Sequence, residues 1–146
     1  LLNLPHPATI LVGRLGILHF PPGSYAYVGS AMGGLEARVG RHLRQNKRHH
    51  CHIDRLLTRA AVEEVILLPG ERRIECPLAR ALAERLRFVP RFGSSGCRCP
   101  SHLFLEADQR ALRATVIEAI HRLGLHHESL PAAAGDSATA TDRAGS

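Results

Sequence analysis

Apolar residues along this chain switch between alternating and four-residue spacing, and the switches mark its elements. Residues 8–16 are rich in Thr, Ile, Leu and Val and read as a first strand, with Gly16 available for a bend. Ile17-Leu18-His19-Phe20 then runs into Pro21-Pro22-Gly23, a strong turn signal. Beyond it Tyr25-Ala26-Tyr27-Val28 reads as a strand that stops on Gly29-Ser30, and this strand is expected to pair with the first as an antiparallel hairpin. Leu35, Val39 and Leu43 recur every four residues and predict an amphipathic helix over residues 35–45. Arg38 and His42, also four apart, share one flank of its apolar stripe.

The second half follows the same logic. Residues 46–52 form a cationic loop, and Ile53 to Leu57 reads as a short helix. Residues 60–68 are β-branched and apolar around Glu63-Glu64 and predict a third strand, closed by Pro69-Gly70. Leu78, Leu82 and Leu86 define a second long helix, with Pro77 tolerated in its first turn and Glu75 at its N-terminal end. Residues 88–100 are a Gly/Ser/Cys/Pro loop, and residues 101–107 read as a final strand. Asp108 is placed to cap a last helix whose buried stripe is Leu112, Val116, Ile120 and Leu123. Past His127 the composition turns to Ala, Gly, Ser, Thr and Asp with no core-forming residues. One domain over residues 1–125 and a disordered polar tail over 126–146 are therefore expected.

Composition narrows the class. With 45% apolar residues in 146, a genuine core is affordable. The formal charge of +6, with ten histidines uncounted, favours a polyanionic partner, of which nucleic acid is the commonest. No apolar run approaches the ~20 residues of a membrane span, and residues 1–7 lack the features of a secretory signal. Four unevenly spaced cysteines do not form a disulfide framework, so a reducing, cytoplasmic setting is expected.

Several side chains suit phosphate chemistry or metal binding. The Arg38 guanidinium is a fixed fork of donors matching phosphate oxygens, and its place beside the apolar stripe sets it apart from an ordinary solvated charge. Arg41, Arg44, Lys47 and Arg48 read as solvent-facing phosphate contacts, while His42 can exchange a proton or hold a water. Cys97-x-Cys99-x-x-His102, with Cys51, His50 or His52 from elsewhere, has the ligand types of a zinc site, although Cys-x-Cys is tighter than the usual gap. Cysteines packed in a glycine turn, or a redox pair of Cys76 with Cys97 or Cys99, are the competing readings. His52 either pairs with Asp54 behind such a site, or Asp54 caps the short helix.

Tyr27-Val28-Gly29-Ser30 followed by the Arg38 segment with Arg41-His42-Leu43 resembles the second half of the GIY-YIG nuclease signature. Four further stretches are similar to the small bacterial and archaeal branch of that superfamily, long catalogued as a domain of unknown function and in archaea sometimes fused to an endonuclease III-type glycosylase. They are His50-Cys51-His52-Ile53-Asp54, Glu75-Cys76, the run from Phe92 to Cys99, and Pro100-Ser101-His102-Leu103-Phe104. The resemblance implies a small α/β sandwich of the α+β kind: a central antiparallel sheet of about three strands, flanking helices, and a C-terminal strand and helix. It implies a metal-dependent endonuclease acting on nucleic acid, DNA before RNA. Tyr25 and Tyr27 would serve the attacking water, Arg38 the phosphorane, and Glu75 would hold one Mg2+ or Mn2+ ion. The literal Gly-Ile-Tyr tripeptide is missing where it was expected, at Gly13-Arg14-Leu15-Gly16-Ile17, and Tyr25 is the candidate to replace its phenol. Two other readings stand beside this one: a nucleic-acid-binding module without turnover, and a zinc-stabilised interaction domain.

Overall fold

The computed structural model describes residues 1–29, 52–70, 73–94 and 96–131. Their centre is a five-stranded antiparallel sheet in the order β5-β1-β4-β8-β7. Its strands are β1 (Leu2–Leu4), β4 (Gly23–Tyr27), β5 (Ala61–Val62), β7 (Arg87–Phe88) and β8 (Leu103–Glu106). Two small sheets flank it: β2 (Ala8–Leu11) with β3 (Ile17–Phe20), and β6 (Glu64–Leu67) with β9 (Glu128–Pro131). Three α-helices complete the described residues: α1 (His52–Leu56), α2 (Glu75–Ala83) and α3 (Gln109–Arg122). The fold is thus the mixed α+β sandwich expected.

Alternation along the two middle strands creates the layers. In β4, Tyr25 points to one face while Ala26 points to the other, with Val28 just beyond the strand following Ala26; in β8, Leu103 and Leu105 oppose Phe104. One face is covered by the β2–β3 hairpin and α1 through Ile10, Val12, Phe20, Ile53 and Leu56. The other is covered by α2 and α3 through Leu78, Leu82, Leu112, Val116 and Ile120. Tyr25 and Tyr27 share the hairpin face, as two residues two apart on a strand must.

Several expectations are corrected. The strand expected over residues 8–16 stops at Leu11, breaks into a 3-10 turn at Gly13–Leu15, and pairs with β3. The partner of the tyrosine strand is instead β1, with Leu2 opposite Tyr25. Gly13 to Ile17 is therefore the tip of an inserted hairpin, and β1 occupies the place beside β4 where the missing tripeptide was sought. The strand expected over residues 60–68 splits at Glu63, because β5 pairs with β1 while β6 pairs with β9. Glu128–Pro131, assigned by composition to the tail, is that partner: its side chains are all exposed, and its order rests on main-chain pairing. Leu123 does not extend the stripe of α3; it is 39% exposed at the helix C-cap. Gly124 follows at φ +71, and its N–H and that of Leu125 bond back to His121 and Ile120, the double bond of a Schellman motif. Asp108 does cap α3, accepting a hydrogen bond from the Arg110 N–H. The helix expected over residues 35–45 lies outside the described residues.

Candidate functional site

The two tyrosines, equivalent in the sequence, have different fates. Tyr25 is fully buried, stacks edge-on against Phe20, and donates its hydroxyl to the Pro21 carbonyl. Burial pushes its phenol up to about 12, with the Arg87 charge offsetting part of the rise. The phenol is thus committed to the main chain of the β3–β4 connection. Tyr27 ends the strand, half-buried.

A tight turn forms the wall behind Tyr27. Arg91 and Gly93 both take left-handed backbone angles, φ +64 and +72, and turn the chain sharply on either side of Phe92. Two main-chain bonds hold the turn to the start of the last sheet strand, Arg91 N–H to the Pro100 carbonyl at 2.7 Å and His102 N–H to the Phe92 carbonyl at 2.8 Å. The fully buried Phe92 ring meets Phe20, Tyr27 and His52, all edge-on. At Gly93 a Cβ would lie 3.1 Å from Tyr27 Cε1 and 3.2 Å from His102 Cβ, so a side chain there, on a backbone at φ +72, requires both neighbours to give by a few tenths of an ångström. The Gly93 N–H donates to His52 Nδ1 at 2.9 Å, which puts the proton of the neutral imidazole on Nε2. Burial lowers the His52 pKa and keeps that ring neutral. Asp54, two residues on, is buried inside α1 rather than capping it.

On the other side of Gly93 stand four potential metal ligands. Cys76 at the start of α2, Cys97 and Cys99 in the loop, and His102 before β8 bring their ligand atoms within 4.8 Å of one another. Cys97 Sγ lies 3.4 Å from His102 Nε2, while His102 Nδ1 donates to the Val28 carbonyl at 3.0 Å. All three cysteines are free, and Cys99 and His102 are buried. Burial pushes the Cys99 thiol up to about 12, and the neighbouring thiols of Cys76 and Cys97 add to the rise. The cluster could hold a metal ion, and its sulfur-rich donor set differs from the oxygen ligands of magnesium or manganese.

Of the ligand residues expected here, Cys97, Cys99 and His102 come together, whereas His52 is committed to the Gly93 N–H. Cys76 is the member that sequence reasoning placed elsewhere, as a redox partner. Its closeness to Cys97 and Cys99 is the one signal that reading did contain. Glu75, half-buried at the first position of α2, belongs to no group of three ligand side chains among the described residues. A single carboxylate fits a hard divalent ion only if water and phosphate oxygens supply the remaining positions, which is the habit of Mg2+. The carboxylate of Glu64 is engaged: both its oxygens accept from Arg113, at 2.8 and 3.0 Å, and Ser129 donates to one of them. The Arg113 hydrogen bonds hold the Glu64 carboxyl below its ordinary value. Arg38, Arg41, His42, Arg44, Lys47, Arg48, His50 and Cys51 lie outside the described residues.

The described residues define a small α+β domain in which the end of a tyrosine strand and a Cys3His cluster flank one glycine turn. The family described as Domain of unknown function DUF123 matches over residues 1–125, and the chain belongs to it. No curated protein and no solved structure matches the chain. No described helix is long and apolar enough to cross a membrane.

Proposed function

We propose that the domain is a divalent-metal-dependent phosphodiesterase that cuts nucleic acid, DNA before RNA, in a reducing cytoplasmic compartment. The observation that carries the reading is the separation of the tyrosines: Tyr25 is locked to Pro21 inside the core, while Tyr27 ends β4 half-buried beside the Gly93 turn. The resemblance to the GIY-YIG nucleases and the +6 charge support the same conclusion.

Glu75 would hold the divalent ion, whose chemistry is Lewis-acid polarisation of phosphate oxygens. Tyr27 orients the attacking water and relays its proton as oxygen bonds to phosphorus. Arg38 neutralises the charge that accumulates on the phosphorane oxygens. The bond from phosphorus to the leaving sugar oxygen breaks, and His42 or solvent returns a proton to that oxygen. Arg41, Arg44, Lys47 and Arg48 hold flanking phosphates, so binding weakens steeply with salt.

The test incubates the full chain with single-stranded, duplex and supercoiled DNA in Mg2+, Mn2+ or EDTA, beside Glu75→Ala and Arg38→Ala. Metal-dependent cuts, reduced roughly 10²–10³-fold or more in either variant, are expected. Undiminished cutting by Glu75→Ala would remove the metal assignment. Salt-sensitive binding with no cuts on any substrate would make the domain a binding module, the reading that the missing first-strand tyrosine favours.

A further inference from the structure

We propose that Cys76, Cys97, Cys99 and His102 form a closed zinc centre that clamps the start of α2 to the 89–102 loop and so fixes the wall behind Tyr27. The donor set selects the metal. Three thiolates and one imidazole suit Zn2+, whereas Mg2+, Ca2+ and Mn2+ prefer oxygen ligands. The spacing agrees as well. Zinc bonds of ~2.3 Å to sulfur and ~2.0–2.1 Å to nitrogen, set tetrahedrally, separate sulfur from nitrogen by about 3.6 Å and sulfur from sulfur by about 3.8 Å. Cys97 Sγ and His102 Nε2 are 3.4 Å apart, and every pair in the cluster lies within 4.8 Å, so small rotations about the Cys side chains complete the tetrahedron.

The imidazole is already oriented for the task. Its Nδ1–H is spent on the Val28 carbonyl, which leaves the Nε2 lone pair facing the sulfurs. A backbone carbonyl in this role fixes both tautomer and ring angle in metal-binding histidines. With four protein ligands the site keeps no open position, which is the mark of a structural rather than a catalytic zinc.

The placement also answers a need of the fold. The start of α2 at Ile74 has no side-chain cap, and the loop carrying Cys97 and Cys99 contributes no regular element. A bond from Cys76 to the same ion as Cys97, Cys99 and His102 ties these segments together. It reaches the neighbouring Glu75 through the chain and Gly93 through His102, whose Cβ packs against it. The zinc is distinct from the divalent ion assigned to Glu75, and it is read by metal content rather than by cleavage, so either proposal can fail alone.

The experiment measures metal in the full-length protein purified without added metal or chelator. About one zinc per chain is expected, falling roughly tenfold or more in Cys76→Ser and in Cys97→Ser. Exchange with Co2+ should give intense visible d–d bands and a near-ultraviolet thiolate charge-transfer band, both lost in the same variants. Should those variants fail to fold, Cys51→Ser protein titrated with an organomercurial should release its zinc in step with modification of its three remaining thiols. Folded wild-type protein with no zinc and no thiolate–cobalt spectrum would overturn the proposal. So would a disulfide among Cys76, Cys97 and Cys99 in that zinc-free protein, or zinc retained in Cys76→Ser but lost in Cys51→Ser.

Discussion

Replacing Gly93 with alanine isolates the close approach on which the tyrosine site depends. At φ +72 any residue with a Cβ pays about 1–2 kcal/mol for the left-handed backbone. The added carbon would also stand 3.1 Å from Tyr27 Cε1 and 3.2 Å from His102 Cβ, inside the 3.4–4 Å of ordinary contact. Neither neighbour yields easily: Tyr27 is backed by Phe92, and His102 is held by the Val28 carbonyl. Overpacking of this kind costs about 1–3 kcal/mol, which brings the expected total for Gly93→Ala to about 2–5 kcal/mol. Gly124→Ala is the matched control, because Gly124 has φ +71 and nothing within 4 Å of its Cβ position. It should cost only the conformational part. The entropy that alanine removes from the unfolded chain is common to both variants and cancels in the difference. Urea unfolding followed by circular dichroism gives both values, with Gly93→Ala less stable than Gly124→Ala by about 1–3 kcal/mol. Agreement within about 0.5 kcal/mol would mean that Tyr27 and His102 move aside freely, and the rigid wall between them would have to be abandoned.

Two further predictions follow from the side-chain environments. Tyr27→Phe should lower cleavage about 10²-fold, whereas Tyr25→Phe should leave cleavage within about twofold and cost about 1 kcal/mol of stability through the lost bond to Pro21. The reverse order would return the catalytic phenol to Tyr25. Glu64 titrates below its ordinary 4.5 in the folded state, chiefly because of the Arg113 hydrogen bonds, so its contribution is complete above pH 4.5 and disappears as pH falls through the folded value. Glu64→Gln should therefore flatten the acid decline in stability below pH 4.5 and cost about 1 kcal/mol at pH 7, Arg113 being too exposed for more. An unchanged acid limb would show that the pair is not what holds α3 to β6.

How far the sequence could be read depended on whether a feature was local. The stripes Leu78/Leu82 and Leu112/Val116/Ile120, the Asp108 cap and the tyrosine strand are set by neighbours within a few residues, and each was legible. Strand partners were not. Adjacent strands usually pair, but here the β2–β3 hairpin pairs with itself and leaves β1 to meet β4. Glu128–Pro131 had no apolar alternation to signal a strand, since its order comes from the main chain of β6. The same limit explains Cys76. Cys97 and Cys99 announce each other, but only the packing of α2 against the loop brings in a thiol from 21 residues before Cys97. Tyr25 and Tyr27 were indistinguishable by spacing, and only the Pro21 carbonyl and the Phe92 turn tell them apart.

Both rims of the five-stranded sheet are strands of two residues, β5 and β7, and the second begins with the exposed Arg87. An incoming extended chain would find room for little more than a single hydrogen-bonded step on either side. The rims of this sheet thus offer little main chain for edge-to-edge association. The same blunt rims rule out docking of a peptide by strand addition along this sheet. A partner of this sheet would be gripped through side chains and loops rather than along its rims.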